Sequence, residues 1–202
     1  MECEIKTLGL ILCASSLSAG CIVCANDVSS PNVWVTYASG IDMSDNAHFA
    51  HKLLSVGNRL SAAIDTGARD FKITLVTDPR DNAYCLPDGK IFIGNGLSGL
   101  FKSDDEIACV LAHEMGHIVL GHRGDGNIDY ERAADSFALN LMRKAGFELS
   151  AAIDFWTRYY ERIGWWGGMG SHMEPHERIE FLKAQIFSHT LASHSLTAFA
   201  RG

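Results

Sequence analysis

"HEMGHIVLGH", His113 to His122, holds three histidines and one glutamate in ten residues. An α-helix turns about 100° per residue, so side chains four apart lie on one face. His113 and His117 can therefore aim ring nitrogens at a single point, with Glu114 beside the first of them. Two imidazoles and a neighbouring carboxylate on one rigid element provide two zinc ligands and a general base. The surroundings predict a helix from Ser103 to Gly121. Ser103 can cap its start, and Glu106, three residues on, can complete a capping box. Asp104 and Asp105 place negative charge where the helix dipole favours it. "IACVLA" before and "IVL" after are apolar, which together with the capped helix favours a metal site over a buried helix whose histidines are merely satisfied by hydrogen bonds.

A catalytic zinc takes three protein ligands and keeps one position open. His122 is close, but if the helix continues it lies about 140° round from His117, away from the metal. It reads as a helix-end residue, where a hydrogen-bonding side chain suits the exposed carbonyls. The three-histidine pattern H-E-x-x-H-x-x-G-x-x-H also fails, because Leu120 and Arg123 occupy its glycine and last histidine positions. "DYERAADSFALNLM" offers a better third ligand. Glu131 and Asp135 lie four apart, so Glu131 can bind the metal while Asp135 reaches a ligand histidine from behind and fixes its tautomer. Asp129 is the fallback ligand. The alternative is a solvated acidic face. Ala133, Ala134, Phe137, Ala138 and Leu141 make the helix apolar instead, and a buried carboxylate pair needs a partner.

The chain of 202 residues is 47% hydrophobic and 20% charged, as suits one globular domain. A net charge of -7 argues against a nucleic-acid groove. Residues 1–25 are different. No charge falls between Thr7 and Ala25, and the stretch then breaks to "NDVSSPN". This predicts a signal peptide cleaved after Ala25, with residues 26–202 as the mature domain. A lipoprotein signal with Cys21 lipidated and an uncleaved membrane anchor are the alternatives. Export to the periplasm is the first expectation, with membrane association only through this segment. Beyond the leader two cysteines remain, Cys85 and Cys109, which form one disulfide or stay two buried thiols.

Apolar spacing predicts helices over residues 44–64, 128–144 and 150–163, and a last one from Pro175 that frays over its final dozen residues. Strands are expected at 71–78 and 90–94, with the turn-rich "PRDNAYCLPDG" between them. Several helices beside a short sheet make an α+β fold.

These segments together resemble peptidase family M48, which holds the CAAX prenyl proteases, the HtpX heat-shock proteases and the Oma-type and periplasmic quality-control proteases. "NAYCLPDGKIFIGNGL" is similar to the family's N-A-F-x-x-P-G-G-x-I-x-x-x-x-G-L segment, with Asp88 in place of a glycine. "VLAHEMGHIVLGH" resembles its zinc helix and "ERAADSFALNLMRKAGF" its third-ligand helix. "SHMEPHERI" resembles its S/T-H-P-x-x-x-x-R-I segment, although proline follows His172 by three residues rather than one. The resemblance implies a zincin fold of the gluzincin type, mostly helical with a small antiparallel or mixed sheet. It implies one Zn2+ per chain on His113, His117 and Glu131, with Glu114 as general base. It also implies that His172 stabilises the oxyanion, with His176 as its competitor, and that Asp135 and Arg178 support the ligands.

The expected activity is hydrolysis of peptide bonds in protein or peptide substrates, in quality control of exported envelope proteins. The strand at 90–94 would present a sheet edge to an extended substrate through Ile91, Phe92 and Ile93. "GWWGGMG" is either a flap that brings Trp165 and Trp166 to substrate or a loop packed on the body. The rival readings are a binding or chaperone-like protein that keeps zinc without proteolysis, and a protease held latent by its own loop. An intact Glu114 speaks against the first, because a structural zinc needs no base.

Overall fold

The computed structural model describes residues 22–23, 33–38, 40–65, 70–78, 82–123, 127–163 and 175–199, the side chains of 22–23, 43–45, 175 and 190–199 excepted. Five strands form one mixed sheet: β1 (Ile22–Val23), β2 (Val33–Tyr37), β3 (Phe71–Val76), β4 (Ala83–Cys85) and β5 (Lys90–Gly94). Their order across the sheet is β1-β2-β3-β5-β4. The two central pairings, β2 with β3 and β3 with β5, are parallel, and the outer two are antiparallel. β1 lies inside the stretch expected to be a leader; the other residues before Val33 fall outside the described ones.

Five helices complete the α+β fold: α1 (Met43–Ala62), α2 (Asp104–Leu120), α3 (Ile128–Lys144), α4 (Ser150–Ile163) and α5 (Pro175–Phe199). Their limits agree with the apolar spacing to within two residues, except that α5 continues past Ser193 to Phe199. Among the described residues no helix is long and apolar enough to cross a membrane.

Alternation builds the core. Val33, Val35 and Tyr37 on β2, Phe71, Ile73 and Leu75 on β3, and Ile91 and Ile93 on β5 are all buried. They join one cluster with Leu53 and Leu60 of α1 and Ile107, Leu111 and Met115 of α2. Each large apolar side chain buried in this way contributes roughly 1.5–3 kcal/mol. α2 is the central helix: every residue from Glu106 to Gly116 is buried, and it packs against α1, α3 and α4.

Half of the expected capping box forms. Ser103 Oγ accepts from Glu106 N–H at 3.3 Å, but Glu106 Oε2 accepts from Lys102 N–H at 2.7 Å, one residue earlier than the box requires. The cause is a competing partner, since the same Oε2 pairs with Arg158 of α4. At the other end Gly121 adopts a left-handed conformation (φ 70°). His122 N–H then donates to His117 C=O at 3.0 Å and Gly121 N–H to Ile118 C=O at 3.3 Å. This Schellman turn stops the helix at Leu120 and reverses the chain.

One expectation is corrected here, and one open alternative is decided. The strand at 90–94 is not a sheet edge, because β5 lies between β3 and β4. Its Ile91 and Ile93 are fully buried in the core, and Phe92 stacks on Tyr84 with ring centroids 4.8 Å apart. The edge on this side of the sheet is β4, inside the segment read only as turns. Cys85 and Cys109 form no disulfide; both are free thiols.

Candidate metal centre

α2 supplies His113 and His117 one turn apart, and α3 crosses beside it to supply Glu131. The crossing is close because residue 116 is glycine. A Cβ there would sit 3.1 Å from the Phe137 ring and 3.2 Å from the Ala134 carbonyl oxygen. His113 Nε2 and His117 Nε2 are 3.0 Å apart, and each lies 3.4 Å from a Glu131 carboxylate oxygen. These three donors form a group that could hold a metal ion. Asp129 is exposed in the first turn of α3 and stands outside it.

Burial without compensation would make this group costly, so what stands behind each ligand matters. Behind His113 is a buried ion pair. Asp135 Oδ1 lies 2.9 Å from His113 Nδ1. Arg178 of α5 donates to the same carboxylate twice, from Nε at 2.9 Å and Nη2 at 2.5 Å. Arg178 is 0% exposed, its guanidinium lies 3.5 Å from the Trp156 ring centroid, and Tyr160 hydrogen-bonds to it. Because Nε2 faces the ligand group, the His113 proton belongs on Nδ1, donated to Asp135. Arg178 Nη2, 3.0 Å from the same Nδ1, is then a donor whose proton goes to the carboxylate.

The donor set fits a divalent ion of zinc type: two imidazoles and one carboxylate, neutral nitrogen beside hard oxygen. Without an ion the cluster holds a proton. Burial and the Arg178 charge push the His113 imidazole down, yet Asp135 and Glu131 outweigh them and raise its pKa to about 9. His113 is therefore protonated at pH 7.5 and must lose that proton to bind a metal. Zinc uptake at pH 7.5 should release about one proton per ion, falling towards zero above pH 9. Calorimetry in two buffers of different ionisation enthalpy measures it. Equal heats in both buffers at pH 7.5 would contradict the raised pKa.

Glu114 is 5% exposed and follows His113 on α2. Its partner is one the sequence reading missed. The Cys85 thiol on β4 hydrogen-bonds to the Glu114 carboxylate. Burial, and then the Glu114 charge, hold that thiol protonated, so it is the donor and a poor nucleophile. β4 thus runs directly past the metal group. By antiparallel alternation, Asn82 and Leu86 bond to β5, through Gly94 N–H to Asn82 C=O (2.8 Å) and Leu86 N–H to Lys90 C=O (2.7 Å). The backbone groups of Ala83 and Cys85 therefore point outward along the open edge.

His122 is the second residue missed. The reversal at Gly121 turns it back onto the site, where its Nδ1 lies 2.9 Å from His117 Nδ1. Its ring stacks on Tyr130, 4.3 Å away and tilted by 6°. Burial and the neighbouring His117 lower its pKa. His176, near the start of α5, is exposed. His172 and the Trp165–Trp166 segment lie outside the described residues.

A model of the peptidase family M48 sequence pattern matches residues 47–129, from α1 through α2 and into the start of α3. The match stops two residues short of Glu131. Among curated relatives, the mitochondrial metalloendopeptidase OMA1 of Arabidopsis thaliana is 46% identical over 56 residues, 28% of this chain and 12% of the relative. The metalloprotease LoiP of Escherichia coli is 32% identical over 77 residues, 38% of this chain and 29% of LoiP. The beta-barrel assembly-enhancing protease of Yersinia pestis is 29% identical over 80 residues, 40% of this chain and 16% of the relative. The chain thus spans less than a third of the length of each of these relatives. The family pattern falls on the helix that carries His113, Glu114 and His117, and over residues 47–129 the chain is similar to peptidase family M48.

Proposed function

We propose that the protein is a zinc-dependent endopeptidase of zincin type that hydrolyses peptide bonds in proteins. One observation carries this reading: a His113–His117–Glu131 group, buried at His113 and Glu131 and half-buried at His117, with the Glu114 carboxylate next to it and an open strand edge alongside. In this reading His113, His117 and Glu131 hold one zinc ion, while Asp135 and Arg178 lock the orientation of His113. Zinc, when bound, supplies Lewis-acid activation of water and of the scissile carbonyl. Glu114 takes the proton from the attacking water and delivers it to the leaving amine. Cys85 keeps the Glu114 carboxylate in place until then. An extended substrate adds to β4 through the outward backbone groups of Ala83 and Cys85. His172 stabilises the developing oxyanion.

The setting belongs to the same proposal. The apolar leader directs export to the periplasm, and the substrates are envelope proteins that have failed to fold. The family and the protease names of its relatives support a protein substrate; the leader supports the compartment.

The test is metal content read together with activity. Purified protein should bind one zinc per chain and cleave casein. A chelator should stop cleavage and added zinc restore it. Glu131→Ala should lose both zinc and cleavage, because two imidazoles alone leave the site a ligand short. Casein cleavage that survives complete zinc removal would overturn the proposal.

A further inference from the structure

His117 has two ring nitrogens with separate tasks. Nε2 faces the ligand group, 3.0 Å from His113 Nε2 and 3.4 Å from Glu131. Nδ1 faces the opposite way, 2.9 Å from His122 Nδ1. Two imidazole nitrogens this close share one proton. A metal-binding Nε2 must be bare, so the neutral His117 ring carries its proton on Nδ1 and donates it. His122 Nδ1 then accepts, and the His122 proton sits on its Nε2.

The acceptor is held in place from both sides. The αL turn at Gly121 sets its backbone, with His122 N–H bonded to His117 C=O at 3.0 Å. Its ring lies flat on Tyr130, which precedes the third ligand Glu131 in α3. One side chain therefore bridges the two elements that make the metal group. The arrangement parallels the one at His113, where Asp135 accepts from Nδ1. The chemistry differs: His113 is backed by a buried ion pair, His117 by a half-buried imidazole on an aromatic plate.

We propose that His122, seated on Tyr130, is a positioning residue that fixes the tautomer and orientation of His117. This rests on the reading of His113, His117 and Glu131 as a zinc site. Losing a partner behind a ligand histidine typically weakens metal binding 10–100-fold. His122→Phe keeps a ring on Tyr130 and removes the acceptor, so zinc affinity measured against a chromophoric chelator should fall about 10–100-fold. His122→Asn places a carbonyl oxygen near the lost nitrogen and should recover most of that loss. His122→Ala, compared with His122→Asn, makes the same test if the phenylalanine variant does not fold. A role confined to ending the helix predicts no rescue by asparagine. Wild-type affinity in His122→Phe, or an asparagine variant as weak as alanine, would overturn the proposal. His117→Ala is the control for the underlying site: if it still binds zinc like the wild type, the metal reading fails, whatever His122 does.

Discussion

Glu114→Gln should abolish proteolysis and leave zinc bound. Glutamine has the shape of glutamate, so the buried position beside His113 stays filled. Its side-chain oxygen still accepts from the Cys85 thiol, so the local hydrogen bond survives. What disappears is a group able to take a proton from water and return it to an amine. General acid–base catalysis by one positioned residue is worth about 10²–10⁴-fold, and the proposed mechanism assigns both transfers to this one carboxylate. The expected casein-cleavage rate is therefore lower by about 10³-fold or more, with the zinc content and melting temperature of the wild type. Zinc retention is the informative half. Loss of metal together with activity would make Glu114 a ligand, and normal cleavage by the glutamine variant would remove it from the chemistry.

The parts of this site legible in the sequence are those encoded by helical spacing. His113 and His117 lie four apart, as do Glu131 and Asp135, so local geometry fixes what each pair can reach once the helices exist. The helices were legible because their apolar faces and caps are local too. What escaped depends on single residues that redirect the chain. One αL residue, Gly121, decides whether His122 faces away from the metal or returns to His117. A continuous helix predicts the first, and the Schellman turn produces the second. β4 escaped because three residues between Asn82 and Leu86 carry too little pattern to outweigh the prolines, glycine and aspartates around them. The substrate edge was then assigned to β5, because the alternation of Ile91 and Ile93 shows which face is buried but not whether both edges of the strand are paired. The contact between Cys85 and Glu114 follows from β4 and was lost with it. Arg178 entered by resemblance alone. No spacing rule connects it with Asp135, 43 residues earlier.

That pair gives the second large effect. Arg178→Leu should destabilise the fold by about 3–5 kcal/mol and weaken zinc binding. Arg178 is fully buried, bonds both oxygens of Asp135 and covers Trp156, so leucine leaves Asp135 as a buried charge without its cation. For a chain of this size each kcal/mol shifts the melting temperature by about 2–4 °C, so a fall of roughly 6–20 °C is expected in the metal-free protein. The carboxylate can escape its penalty by taking up a proton, but it is then a weaker acceptor for His113 Nδ1–H, and zinc affinity falls with the orientation of the ring. Arg178→Lys separates charge from shape: it keeps the cation but loses the two-pronged bond and the stacking on Trp156, and should lie between wild type and leucine. The double variant Arg178→Leu with Asp135→Asn separates charge from positioning. With no carboxylate to neutralise, it should melt above Arg178→Leu alone, although it carries one more substitution. A leucine variant that melts within a degree or two of the wild type would mean that the buried pair is not what holds His113. A double variant less stable than either single one would mean that Arg178 acts through packing on Trp156 and Tyr160 rather than through its charge.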